Sequence, residues 1–163
     1  MIRPATARDA EGIAQVHVRT WQAAYAHVFP ADELANLSVE RRRALWAEYL
    51  GRDDVGIFVD ESGGAVTGFV SVGASGDDDA EGELYAIYVE PARWGTGVGR
   101  ALIEAGEERL RELGHRDVVL WVLDDNPRAR RFYESAGWSA DGTRRPIAFL
   151  GVEVPEVRYR KRL

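Results

Sequence analysis

"ELYAIYVEPARWGTGVGRALIEAGEERLRELG", residues 83–114, reads as a strand, a glycine loop and a helix in immediate succession. "ELYAIYV" (83–89) is a β-rich run with Leu84, Ala86 and Tyr88 expected on one face, and Pro91 ends it. "GRALIEAGEERLRELG" sets Leu102, Ala105, Gly106, Leu110 and Leu113 on one side of a helix that Gly114 stops. Between them, Gly95, Gly97 and Gly99 alternate. A loop of this kind ahead of a helix cradles phosphate. Successive N–H groups point outward, the helix adds its partial positive end, and glycine lets the backbone come close to the oxygens.

Three phosphate ligands use such loops. A nucleoside triphosphate needs Gly-x-x-x-x-Gly-Lys followed by Ser or Thr. Arg100, Ala101 and Leu102 follow Gly99, so that pattern fails. A dinucleotide needs Gly-x-Gly-x-x-Gly directly after a strand, with an acidic residue about 20 positions on. Here Arg100 takes the place of the third glycine, Glu90 to Trp94 separate the strand from the loop, and the chain is short for two nucleotide-binding halves. The third is a loop open around a pyrophosphate, as coenzyme A carries. A plain strand-to-helix connection is also rich in glycine, so the neighbouring segments must discriminate.

Downstream, "VVLWVL" (118–123) has the pattern of a buried strand. Asn126 followed by Pro127 is an N-cap with proline at the first helical position, opening "PRARRFYESAG", which ends at Gly137. The rest, from Trp138, reads as two further strands. Upstream, "IRPAT" is a short strand. A helix follows with Ile13, Val16 and Thr20 at helical spacing, capped by Thr6 with Asp9 three residues on. "FPADELANL" is expected as a broken segment, and Ser38 to Gly51 as a second helix. "VGIFVDESGGAVTGFVSVG" is a hairpin turning at "ESGG", and "ASGDDDAEG" a polar loop. The sum is one α/β domain spanning 1–163, an α+β sandwich with a mixed central sheet of six to seven strands and helices on both faces.

Composition narrows the class. A chain of 163 residues supports one sizeable core, and its net charge of −6 opposes a nucleic-acid backbone as partner. Nearly all the positive charge is arginine, Lys161 being the single lysine. There is no cysteine, hence no disulfide, thiolate nucleophile or cysteine metal site. His17, His27 and His115 lack metal-ligand spacing, so no metal is expected. No leader-like or membrane-spanning run is present, so a cytoplasmic protein without a membrane partner is expected.

"ELYAIYVEPARWGTGVGRAL" followed by "VVLWVLDDNPRARRFYESAGW" resembles the GCN5-related N-acetyltransferase (GNAT) superfamily. The first stretch is similar to that family's acetyl-CoA motif, Gln/Arg-x-x-Gly-x-Gly/Ala, falling on Trp94, Gly97 and Gly99. The second is similar to its strand-to-helix motif, falling on Asn126, Ala129, Phe132, Tyr133, Glu134, Gly137 and Trp138. Together they cover about a third of the chain. One departure stands out: Trp94 occupies the Gln/Arg position, so a side-chain hydrogen bond to the pyrophosphate is altered there.

The resemblance implies an acetyl-CoA-dependent N-acetyltransferase that acts directly on an amine of a small molecule or peptide, as monomer or homodimer. A non-catalytic acyl-CoA-binding module of the same fold is the alternative. It implies that the backbone of Gly95, Thr96, Gly97, Val98 and Gly99 holds the pyrophosphate, with charge from Arg93 or Arg100. Backbone N–H groups of Ile87, Tyr88 and Val89 would meet the pantetheine arm where two strands splay, helped by Asn126 and lined by Ala129 and Phe132. Tyr133 would be the general acid, since a phenol of pKa ~10 keeps its proton at neutral pH. Glu83 would be the base or an anchor for the amine, whose deprotonation at pH 7 costs about 4.6 kcal/mol for a lysine-like pKa of ~10.4. Trp21, Tyr25 and Phe29 would wall the acceptor site, and the acidic run 76–83 could attract a cation. Each of these aromatics also has a plain packing reading.

Overall fold

Local signals account for most element boundaries in the computed structural model, which describes Met1–Leu163. After β1 (Ile2–Pro4), the Thr6 N–H donates to the Asp9 carboxylate at 2.7 Å and starts a 3-10 turn (Ala7–Asp9) leading into α1 (Ala10–Ala24). The segment expected to be broken contains a single short helix, α2 (Ala31–Ala35), because Leu34 finds a buried seat. Ser38 Oγ accepts from Arg41 N at 3.2 Å and caps α3 (Val39–Leu50). The hairpin is β2 (Gly56–Ser62) and β3 (Ala65–Ala74), turning at Gly63 and Gly64, both with positive φ. Then come β4 (Gly82–Val89), a 3-10 turn (Pro91–Arg93), α4 (Val98–Glu112) and β5 (Asp117–Leu123). Next is α5 (Pro127–Ser135), with Asn126 Oδ1 accepting from Ala129 N at 3.2 Å. The hairpin β6 (Ser139–Phe149) and β7 (Val152–Arg162) completes the chain.

The seven strands form one sheet in the order β1-β2-β3-β4-β5-β7-β6. Every pairing is antiparallel except β4 with β5, which run parallel and pair only at Gly82–Val118 and Glu83–Val119. Beyond those pairs the two strands share no ladder, so the sheet opens from there toward Val89. On its other side, β4 steps from pairing Leu84 with Val72 to pairing Ala86 with Ser71, leaving Tyr85 as a bulged extra residue.

That bulge corrects the expected facing of β4. Leu84 joins Ile87 and Val89 against the α4 side, while Ala86 and Tyr88 pack against the α1 side. An inserted residue reverses the alternation, which no reading of period alone would reveal.

One core lies under α4 and α5, with Val70, Leu102, Leu110, Leu120 and Tyr159 fully buried. The opposite core, under α1 and α3, contains Ile13, Val16, Trp46, Val59 and Phe69. The buried face of α4 is also shifted from expectation: Ile103 and Glu107 are buried, while Ala105 and Leu113 are only half-buried. Glu107 is tolerated there because Lys161 Nζ meets it at 2.8 Å and Trp138 Nε1 donates to it at 3.0 Å. A third cluster joins Tyr25, Phe29, Leu34 and Leu123 beneath the β6–β7 hairpin.

Candidate active site

The glycine loop leaves β4 at Val89 and enters α4 at Val98. Gly95 and Gly97 have φ of +74° and +90°, with open space where a Cβ would stand. Gly99 has a different reason to be glycine: a Cβ there would sit 3.2 Å from the Phe132 ring of α5. No backbone hydrogen bond within the protein uses the N–H groups of residues 95–100, so the loop and first helical turn present a continuous row of donors. Val98 turns its side chain into the core, leaving only its backbone at the loop surface. Thr96 Oγ1 donates to Arg93 O at 2.6 Å and tightens the turn.

Trp94 is tied down: its Nε1 donates to Val89 O at 2.8 Å. The guanidinium of Arg128, on the first turn of α5, lies over the Trp94 ring at 3.4 Å from its centroid. The two arginines expected to bring charge to the loop have other partners. Arg93 reaches back to Asp60 of β2 at 3.5 Å. Arg100 bonds Glu104 at 2.8 Å and Ser135 O at 3.1 Å.

Tyr133 of α5 and Tyr25, which follows α1, are electrostatic neighbours. Tyr133 is buried, and its hydroxyl makes no hydrogen bond to the protein. Burial, reinforced by the neighbouring Tyr25 phenol, raises its pKa above the ordinary tyrosine value, so its proton is held firmly. Asn126 uses its oxygen to cap α5 and donates through Nδ2 to the Tyr25 hydroxyl at 3.4 Å. Ala129 and Phe132 pack on the α4-side core beside Ile87. Tyr88 turns the other way and stacks on His17, 5.1 Å between ring centroids.

Trp21, Tyr25 and Phe29 assemble with a fourth ring, Phe149 of β6, from the far end of the chain. Trp21 lies 4.7 Å from both Tyr25 and Phe149, and Phe29 is 5.8 Å from Phe149. Tyr25 and Phe29 are buried core residues, whereas Trp21 is half-buried.

Glu83 stands at the foot of the split. Its carboxylate accepts from Ser75 Oγ at 3.3 Å and Gly76 N at 3.4 Å. Burial outweighs these bonds and raises its pKa, with a further push from Asp77. The acidic run beside it is partly committed to partners, with Asp78 and Asp79 still exposed. Asp77 and Asp79 hold Arg158 at 3.1 and 2.7 Å, and Asp77 also accepts from Trp121 Nε1 at 2.9 Å. Glu81 accepts from the backbone N–H groups of Arg116 and Asp117. The arginines of β7, remote in sequence, thus pair with Asp77 and Asp79.

Chemically, the arrangement suits an extended ligand with a phosphate at one end and a reactive group at the other. Phosphate oxygens match the donor row at 95–100. A narrow arm suits the open edge of β4, and Tyr133 offers a phenol that keeps its proton. Two concavities of about 320 and 360 Å³ lie elsewhere, on the β6–β7 hairpin and between α3 and α4. Neither brings together donors and a titratable group of this kind. Phe149 and Arg128 were not foreseen from sequence, since neither stands at a motif position; their neighbours are set by tertiary contact.

The family model described as the acetyltransferase (GNAT) family matches residues 16–138. The uncharacterized N-acetyltransferase YuaI of Bacillus subtilis is 36% identical over 129 residues, covering 77% of this chain and 73% of that protein. A mycothiol acetyltransferase of Thermobispora bispora is 42% identical over 96 residues, which is 55% of this chain and 32% of that longer protein. Among solved structures, the PaiA N-acetyltransferase of Thermoplasma acidophilum in complex with coenzyme A superposes with a TM-score of 0.83. It is 17% identical, and the match covers 100% of this chain and 98% of that one. YncA of Salmonella typhimurium, solved with acetyl-CoA, gives 0.74 at 22% identity, covering 99% and 92%.

Proposed function

The chain belongs to the acetyltransferase (GNAT) family, and from that premise we propose that it transfers an acetyl group from acetyl-CoA directly to an amine. The observation that carries this reading is the pairing of an unused N–H row at 95–100 with a buried tyrosine, Tyr133, whose hydroxyl has no partner within the protein.

When bound, acetyl-CoA supplies an acetyl group activated as a thioester. The backbone of Gly95–Arg100 holds the diphosphate, with Gly95 and Gly97 providing the positive-φ turns that aim the donors inward. Ile87 and Val89 offer N–H groups on the edge of β4 freed by the parting of β5, where they can also meet charge developing on the acetyl carbonyl oxygen, while Tyr88 between them directs its N–H toward β3. Ala129 and Phe132 line the groove and help exclude water. Asn126, already bonded at both ends, fixes the start of α5 and the position of Tyr25.

Tyr133 Oη holds a proton throughout the neutral range and is the donor to the departing sulfur. Glu83, with its raised pKa, takes the proton of the attacking amine directly or through water. With no cysteine in the chain, a cysteinyl acyl-enzyme is impossible, which favours direct attack. Trp21 and Phe149, half-buried and backed by the buried Tyr25 and Phe29, form the acceptor wall, whose aromatic character suits the apolar body of an amine-bearing small molecule or peptide.

The test is thiol release from acetyl-CoA with a panel of amines, aminothiol glycosides and peptide N-termini. Turnover on one acceptor class supports the reading. Tight CoA binding without turnover on any acceptor converts it to a binding module, and absence of CoA binding removes it.

A further inference from the structure

We infer that Arg128, held flat on Trp94, supplies the side-chain cation for the cofactor diphosphate at the glycine loop. This rests on the proposed acetyl-CoA reading and adds to it a residue outside the loop. Trp94 immediately precedes the free N–H row, and its ring is fixed by the Val89 bond at 2.8 Å. Arg128 covers that ring at 3.4 Å, which engages only the face of the guanidinium. Its edge N–H groups remain in plane, the geometry that takes phosphate oxygens in pairs.

Three other arginines near the loop have acidic partners: Arg93 with Asp60, Arg100 with Glu104 and Arg130 with Asp124. Arg128 makes no ion pair and no hydrogen bond, in a chain with 27 acidic and 21 basic residues. Its position is also unfavourable for the helix. It stands on the first turn of α5, where the helix's own partial charge is positive and a cation is disfavoured. Desolvation against the indole lowers its pKa, with no carboxylate to offset the cost. An unpaired cation in a place that costs local stability, beside two helix N-termini, fits an anion that arrives with the ligand. Arg128 thus restores by another route the side-chain contact that Trp94 removes from the motif.

The test measures binding of CoA and of 3′-dephospho-CoA by calorimetry to wild type, R128Q, R128K and W94A, with melting temperatures recorded for each. R128Q is expected to weaken both ligands equally, by about tenfold, the scale of one charge-assisted hydrogen bond. R128K recovers part of the loss, W94A shows a similar loss, and the melting temperature of R128Q does not fall. Unchanged affinity of R128Q for both ligands overturns the inference. A loss confined to CoA also overturns it, by assigning the arginine to the ribose phosphate. A wild-type chain that binds neither ligand overturns the acetyl-CoA reading itself, and this inference with it.

Discussion

The indole Nε1 of Trp94 donates to the carbonyl oxygen of Val89 at 2.8 Å, so the first residue of the glycine loop is bonded to the last residue of β4. Trp94→Phe keeps the ring and deletes the donor. Val89 O retains a second donor, Thr20 Oγ1 at 3.4 Å, so the loss of stability is expected at the low end, about 0.5–1 kcal/mol. Chemical denaturation checks it. A loss above 3 kcal/mol would show that the ring itself, not the bond, anchors the loop.

Tyr133→Phe is expected to lower kcat by about 10²- to 10⁴-fold while leaving the KM for acetyl-CoA nearly unchanged, since a general acid acts on the chemical step. Because burial raises the Tyr133 pKa, the wild-type rate should show no alkaline fall from this group up to pH 10. Steady-state kinetics against pH decides both points. An unaltered kcat in the variant removes the acid role.

Glu83→Gln tests the base. The raised pKa means that wild-type kcat/KM declines as pH falls through a value above the ordinary glutamate range, when the carboxylate takes up a proton. That acidic limb should be absent from the variant, which runs slower at neutral pH. A limb that persists unchanged in Glu83→Gln belongs to another group.

His17 predicts acid sensitivity of the fold. It is buried, accepts from Trp46 Nε1 at 3.2 Å, and burial lowers its pKa to about 3. In the unfolded chain its pKa is ~6.5, so between those values only the unfolded state binds the proton. Its contribution is present above about pH 6.5 and is lost as pH falls, at about 1.4 kcal/mol per pH unit. Denaturation midpoints from pH 7 to 4 should therefore fall more steeply in wild type than in His17→Gln, which keeps an acceptor for Trp46 without the titration.

Glu107→Ala should be among the most destabilising changes on α4. It leaves Lys161 and Trp138 without their shared partner in a buried position, a loss of about 3–5 kcal/mol. Glu107→Gln, which keeps an acceptor for Trp138, should cost less. Thermal unfolding of the two variants gives the comparison.

The strand, loop and helix of residues 83–114 were legible because glycine, proline and helical periodicity act over a few neighbours. The same holds for the Asn126–Pro127 start of α5 and for the motif positions that carried the family resemblance. Beyond local range the reading failed in specific ways. The bulge at Tyr85 turned Ala86 and Tyr88 to the opposite face from Leu84, because register is set by pairing with β3 rather than by β4's own residues. The expected apolar face of α4 left out Glu107, which is buried because Lys161, 54 positions away, supplies its counter-charge. The acidic run at 77–81 read as a polar loop able to attract a cation, and only the fold shows that Arg158 pairs with Asp77 and Asp79 and backbone donors meet Glu81.

The site divides along the same line. From sequence alone came the glycine loop, the helix behind it and the tyrosine that follows, since each depends on spacing within one segment. Only the tertiary structure decided how β4 and β5 part, that Phe149 joins Trp21, and that Arg128 lies on Trp94. The physical reason is range. Backbone conformation responds to adjacent residues, whereas cross-strand register, aromatic contacts and ion pairing depend on which distant segments packing brings together.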